Sequence, residues 1–431
     1  MRFCFIVTAI SIYLPAWSVG QWQLNGVAVF DTSLQGNNTT IPHVAPDGEG
    51  GAYICWADYR HGNYDIYAQR VDSAGNTVWQ RNGVPVVVAP QRQADMQIIN
   101  DGFGNAIIAW EDDRGTDTYM YAQKVNQNGQ TLWQPNGVKV AELSGLFTRI
   151  TADGLGGVIL AWDAVVSNDD VVTQRLDSLG ARMWGDSGVR VTDRPSTIYP
   201  GDVWIVNDGA SGAIVAWTER QINRIYAQRV DSSGTIRWQQ NGVLLSDTVS
   251  PNIGVACVSD GFGGAIGYWA VNRDNGPALA QRVDSNGVTR WMSGGILLGS
   301  AGGGGKQRIT SDLTHGAFIG HGLFVQHING NGTKLWQSSG VPYTTLPSIE
   351  STQARTGEGG VWNFCKSLDS VGFNLYRQWI DHTGTPRWGQ NGIRLLTINS
   401  TQRLPQSIED GRGNCFVTWE DEGTGPFLWQ R

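Results

Sequence analysis

Histidine is scarce in this chain. There are 6 in 431 residues, and none falls in an H-x-x-H or H-E-x-x-H pattern, which excludes the usual zinc signatures. Charge is sparse and leans negative, with 31 Lys and Arg against 38 Asp and Glu, a net of -7. That balance excludes nucleic acid as a partner, because phosphate binding needs a basic footprint. Of the 5 cysteines, Cys4 lies at the very start. The other four, Cys55, Cys257, Cys365 and Cys415, sit in apolar, strand-like segments and are expected as buried thiols. An oxidising compartment would permit disulfides, but spacing cannot assign them. The glycine run Gly302 to Gly305 lacks a following Lys-Ser/Thr and is no phosphate loop. The acidic clusters Glu111 to Asp113 and Asn168 to Asp170 lack the D-x-[DN]-x-[DN]-G spacing of a calcium loop. No cofactor is expected, and calcium is the one ion these clusters would admit.

Long apolar runs are absent but for one. Met1-Arg2 precedes "FCFIVTAISIYLPAW", and small residues follow at Ser18 and Gly20. This reads as a secretory signal peptide over residues 1–20, too short and too close to the start to be a membrane anchor. Residues 21–431 are then expected to be one secreted domain, placed outside the cell, on its surface or in the periplasm. No transmembrane segment is expected.

A helical period is also missing. In its place is a unit of about fifty residues repeated along the chain. The first full copy has a short segment "IPHVAP", a turn "DGEGG", an apolar run "AYICW" and a polar loop "ADYRHGNYD". It continues with "IYAQRV", a second turn "DSAG" and "NTVWQRNGVPVVV". Runs of four to eight residues bounded by Gly and Asp are strands. Four such strands, A to D, make one propeller blade. The B strands ("AYICW", "AIIAW", "VILAW", "AIVAW", "AIGYW") are continuously apolar, as suits a strand covered on both faces. Eight D-strand tryptophans set the period: Trp22, Trp79, Trp133, Trp184, Trp238, Trp291, Trp336 and Trp388. The expectation is an all-β, eight-bladed β-propeller of four-stranded blades. Trp22 to Phe30 would pair in the blade whose other strands end at Arg431, closing the ring and removing its open edges.

Fourteen of the 19 tryptophans occupy fixed repeat positions, and a large core accounts for them better than stacked sugars do. Strand C carries a glutamine in every repeat: Gln69, Gln123, Gln174, Gln228, Gln281, Gln326, Gln378 and Gln430. These amides are expected to bond the backbone of a turn or a neighbouring strand, since a buried amide must be paired. The acid–arginine pairs Asp58/Arg60, Asp112/Arg114 and Glu219/Arg220 follow strand B and suggest ties within a loop. The A–B and C–D turns are short and uniform, whereas the B–C and D–A loops vary. Variable loops on a rigid frame gather binding residues. The candidates on that end are Tyr59, Arg60 and Arg114 in B–C loops and Phe147, Tyr199 and Tyr343 in D–A loops. Repeat six breaks the pattern: His321 replaces the strand-B tryptophan and almost no B–C loop remains. Trimmed loops there fit either a lateral entrance or simple drift.

The stretch "PDGEGGAYICWADYRHGNYDIYAQRVDSAG" (Pro46 to Gly75) resembles the repeats of Tol-type periplasmic propellers. Those share a P-D-G turn, an apolar strand, an arginine-glycine loop and a D-I-Y strand. With its later W-x-x-N-G-V, the whole unit is similar to repeats of secreted bacterial propeller proteins, and the closing strand resembles WD-repeat propellers in logic. The resemblance implies the fold and a cell-surface or periplasmic binding role. The D-S-x-G-x-x-x-W stretch departs from the sialidase box S-x-D-x-G-x-T-W. Fold analogy alone carries no activity. Three functions compete. One is a monomeric, non-catalytic binding propeller for a glycan or protein. Another is a glycan-active hydrolase or lyase, which needs converging acids or a nucleophile–base pair; no non-repeated constellation of that kind stands out. The last is the propeller part of a longer surface protein.

Overall fold

The computed structural model describes residues 29, 42–164, 170–193, 200–219, 221–246, 252–271, 276–300, 308–396, 402–410, 413 and 415–421. The expected signal peptide, Trp22, Tyr199 and Gln430 lie outside them. Among the described residues there is no helix, and none long and apolar enough to cross a membrane. Seven sheets have four strands each, paired in chain order, and an eighth has two, Gln402–Glu409 with Cys415–Asp421. The first shows the plan: His43–Pro46, Ala52–Asp58, Asp65–Val71 and Val84–Val87, antiparallel throughout. The B strands of repeats one, two and four are buried along all seven residues.

The chain divides into two compact units. One comprises Met1–Arg114, Gln123–Gly137 and Pro342–Arg431. In it the eighth sheet packs against two others. Phe416 joins a cluster with Val44, Ile54 and Trp56 of repeat one, and Val29 belongs to the same cluster. Cys415, Val417 and Trp419 join Trp362, Phe364 and Leu375 of repeat seven. Thr352 also meets Ser407 at 2.8 Å, and Arg355 meets Glu409 at 2.9 Å. The other unit comprises Gly115–Ala122 and Val138–Val341. Its clusters run from sheet to sheet: repeat three into four through Trp184 and Trp217, four into five through Trp238 and Trp269, five into six through Trp291. Each sheet between two such clusters has both faces covered, which is why its B strand shows no polar alternation.

The strand-C glutamine turns out to be a splice. Gln281 Nε2 donates to Met292 O at 2.8 Å, and its Oε1 accepts from the N–H groups of Arg282 and Trp291, both at 3.0 Å. Gln69, Gln123, Gln174, Gln228, Gln326 and Gln378 repeat this pattern. The tryptophans that set the period therefore precede strand D. They sit in an irregular run-in whose backbone groups are satisfied by a side chain, where a ladder would otherwise do it. Gln281→Ala should cost about 1–3 kcal/mol, because it orphans buried backbone groups. Urea unfolding checks this, and a loss near zero would show that water replaces the amide.

Between neighbouring sheets the same tryptophans act as latches. Trp184 and Trp238 donate through Nε1 to Ser232 O and Ser285 O, each at 3.1 Å, on the C–D turn of the next repeat. The glycine closing that next turn lies flat on the ring: a Cβ at Gly287 would come within 2.7 Å of Trp238. This explains the fixed glycine of the D-S-x-G turns, which also holds φ at +80°. A second tie joins the two turns of a repeat. The A–B turn aspartate accepts from its own turn and pairs with the residue after the glutamine, as in Asp47–Arg70, Asp101–Lys124, Asp153–Arg175 and Asp208–Arg229.

Cys55, Cys257 and Cys365 are buried free thiols. Cys415 is buried as well. In repeat seven Cys365 stands where other repeats have tryptophan. Trp362 lies on the opposite face of the strand, at the position of Tyr53 in repeat one, and packs 4.9 Å from Trp388 as Tyr53 packs 5.7 Å from Trp79. In repeat six His321 is only 1% exposed and fills the tryptophan site against Gly299. The imidazole thus covers that position. Its Nδ1 meets Ser300 O at 3.3 Å and its Nε2 has no partner.

Burial pushes the His321 pKa down to about 4. The folded state therefore resists a proton that the unfolded chain takes up near pH 6.5. Stability should fall as pH drops from about 6.5 to 4, and His321→Leu should flatten the melting temperature over that window. Equal slopes for both proteins would contradict the assignment.

Candidate functional site

The candidate loop of repeat one is anchored at both ends by buried carboxylates. Asp58 and Asp65 close strands B and C opposite each other and are fully buried. Asp58 accepts from the Trp56 indole at 3.3 Å and from Arg60 N and Nε at 2.8 and 2.9 Å. Arg60 also donates to Asn82 O at 3.2 Å and lies 3.7 Å from the centroid of Tyr67. Asp65 accepts from Ala89 N at 3.1 Å and meets His61 Nδ1 at 3.2 Å. Asn63 stitches the loop to the D–A segment through Ala89 O and Gln91 O. With both ends tied, Tyr59 stands 42% exposed, edge-on to half-buried Tyr64 at 5.2 Å, beside exposed His61.

Arg114 is held as Arg60 is: N and Nε reach Asp112 Oδ1 at 3.0 and 2.7 Å, and the guanidinium donates to Asn136 O at 3.0 Å. Both arginines are thus committed to their own loops, with side chains 23% and 22% exposed. Phe147 lies in strand Leu146–Ala152, and its side chain is not among those described. Tyr199 lies outside the described residues. Tyr343 is buried, at 1% exposure. Its D–A position suggests surface, yet Thr344 and Thr345 behind it bond Asn391 and turn the chain so that the ring goes inward. Tyr59, Arg60, His61 and Tyr64 therefore share one surface, and Tyr343 belongs to the interior. His61 and Tyr64 escaped the sequence reading, although "RHGNYD" is the richest polar-aromatic loop of the chain.

Among the described residues no group of three or more His, Cys, Asp or Glu could hold a metal ion. The carboxylates that anchor the loop, Asp58 and Asp65, already accept hydrogen bonds from it and from the D–A segment. As arranged, the surface offers aromatic faces, an imidazole and the outer edge of a guanidinium.

No known protein family matches the chain, and no curated protein sequence matches it. Among solved structures, the BP39L lectin from Burkholderia pseudomallei is similar over 84% of this chain and 99% of its own, at 13% identity and a TM-score of 0.52. A PL25 ulvan lyase aligns over 88% of this chain and 97% of its own, at 10% identity and a TM-score of 0.49. The likeness to the lectin is one of fold: this is an all-β chain of the β-propeller type.

Proposed function

We propose that the protein is a secreted, non-catalytic propeller of eight blades that binds a glycan at the variable-loop end of repeat one. The observation that carries this reading is exposed Tyr59 set edge-on to half-buried Tyr64 on a loop made rigid by Asp58 and Asp65. Aromatic faces fixed beside hydrogen-bonding groups suit a sugar ring, which has an apolar face and polar edges. Pre-ordered loops reduce the entropy lost on binding. The lectin among the similar folds agrees with a sugar ligand, and the eighth sheet, packed between repeats seven and one, agrees with a closed ring. A binding role fits better than hydrolysis because Asp58 and Asp65, the carboxylates that anchor the loop, are fully buried and engaged with it.

A glycan-array screen of residues 21–431, with and without calcium, tests this. A specific hit lost in Tyr59→Ala, with an unchanged melting temperature, is the expected result. A hit retained by Tyr59→Ala would move the site elsewhere, and no hit at all would overturn the glycan reading.

A further inference from the structure

The opposite end of the repeats, where the short A–B and C–D turns lie, carries two clefts. One, of about 500 Å³, is lined by Arg229, Asp231, Ser232 and Arg237 of repeat four and Asn286 on the C–D turn of repeat five. The other, of about 420 Å³, is lined by Arg282, Asp284 and Arg290 of repeat five and Asn331 on the C–D turn of repeat six. The two are the same site one repeat apart, since Arg229, Asp231 and Arg237 correspond to Arg282, Asp284 and Arg290. The distinguishing residue is the one before the tryptophan. It is Arg237 and Arg290 here, but Val78, Leu132, Met183 and Leu335 in repeats one, two, three and six; repeat seven has Arg387 on Asp381, but Trp379 stands there in place of Arg229 and Arg282.

Charge in each cleft is arranged in depth. Asp231 and Asp284 are turned inward, accepting N–H bonds from Ser233 and Thr235, and from Asn286 and Val288, all at 2.9–3.0 Å. Their arginines close over them: Arg237 is 56% exposed against 15% for Asp231, and Arg290 is 50% exposed against 10% for Asp284. Arg229 and Arg282 form the back wall, and their own counter-ions, Asp208 and Asp260, are buried behind them. Solvent therefore meets guanidinium groups, with the carboxylates hidden. Burial raises the Asp231 carboxyl, but the bonds from Ser233, Thr235 and Arg237 hold it down at about 2, so the carboxylate that orients Arg237 stays ionised.

We propose that these clefts are a repeated subsite for an anionic polysaccharide, each taking one carboxylate- or sulfate-bearing sugar unit. The outward guanidinium edge would hold the acid group in a forked pair. Asn286 or Asn331 and the turn backbone would bond the hydroxyls. Beside the second cleft Phe262 is exposed and stacks on His315, which contacts Arg282; it offers an apolar edge where repeat four has Ala210. Two equal sites on one chain favour a polymer, because the second contact becomes intramolecular once the first is made. The chain's net charge of -7 opposes any anion at long range, so the attraction is local and should weaken as salt screens it.

Affinity electrophoresis of the full chain tests this, in gels holding polygalacturonate, a sulfated galactan or neutral dextran. Retardation is expected in one or both anionic gels and not in dextran, and the comparison distinguishes carboxylate from sulfate recognition. Arg237→Gln and Arg290→Gln should each weaken binding roughly tenfold, as expected for loss of a charge-assisted bond, and the double variant further. Exposed ion pairs contribute little to folding, so melting temperatures should hold. A folded double variant that is retarded like the original, or an original chain retarded equally in all three gels or in none, would overturn the proposal. Tyr59→Ala separates the two sites: it should leave retardation in the anionic gels unchanged whether or not repeat one binds a glycan.

Discussion

Replacing Trp217 with alanine lowers the unfolding free energy by about 3–5 kcal/mol, the usual cost of emptying a large core site. Trp217 is fully buried and stacks on Tyr226 of the neighbouring strand, 5.9 Å between centroids and 19° apart. Its indole N–H bonds Glu219 at 3.4 Å, so its removal also takes a hydrogen bond from a buried carboxylate. The far edge of the ring lies where a Cβ at Gly242 would come within 2.6 Å. That contact explains the Asn-Gly of W-x-x-N-G-V: Asn241 and Gly242 both hold positive φ, at 64° and 84°, to wrap the chain over the ring. A backbone braced in this way cannot collapse into the cavity, which places the cost toward the upper end. Urea unfolding followed by far-ultraviolet circular dichroism measures it. A loss below about 1 kcal/mol would mean that each repeat is far looser than this packing implies.

Asp153→Ala should cost a similar amount for an electrostatic reason. Asp153 Oδ1 accepts from Leu155 N and Gly157 N at 2.8 and 2.7 Å, and Oδ2 pairs with Arg175 Nε and Nη2 at 3.0 and 2.9 Å. Both partners are almost wholly buried, at 0% and 7% exposure. Removing the acid leaves a buried guanidinium without its counter-ion, a change that typically costs about 3–5 kcal/mol. The same arginine reaches Ser232 O of the next repeat at 3.2 Å, so the damage passes to the neighbouring sheet. Adding Arg175→Met should recover part of the loss, because the orphaned charge is then gone. A double variant no better than the single one would assign the loss to the turn hydrogen bonds alone.

How far the sequence reached depended on whether a residue's partners lay within its own repeat. Strand order, the continuous burial of strand B and the pairing of Gln281 with nearby backbone were all legible, because these partners recur at fixed offsets. The run-in before strand D was less so: Trp238 reads as a strand residue until the amide of Gln228 is seen holding its N–H. Tyr343 illustrates a second limit, since loop position suggests exposure but only the path set by Asn391 turns the ring inward. Repeat seven illustrates another, since Trp362 reads as an extra tryptophan until it is seen packing on Trp388 where repeat one has Tyr53 on Trp79. The two arginine clefts needed the fold outright. Their signal, Arg in place of an apolar residue before the tryptophan, is present in the sequence. Its meaning depends on which carboxylates are hidden and which guanidinium groups face out.

The proposal of eight blades requires that the repeats close into one ring through the N-terminal strand. A spin label at Asp31→Cys and another at Gly425→Cys, with the distance read by pulsed dipolar spectroscopy, tests it most directly. The free thiols at Cys55, Cys257 and Cys365 are buried and should take no label. If Trp22 to Phe30 pairs with the last strand, the labels sit one strand apart, where neighbours are about 4.8 Å from each other, and a single short, narrow distance is expected. A long or broad distribution would contradict the closed propeller.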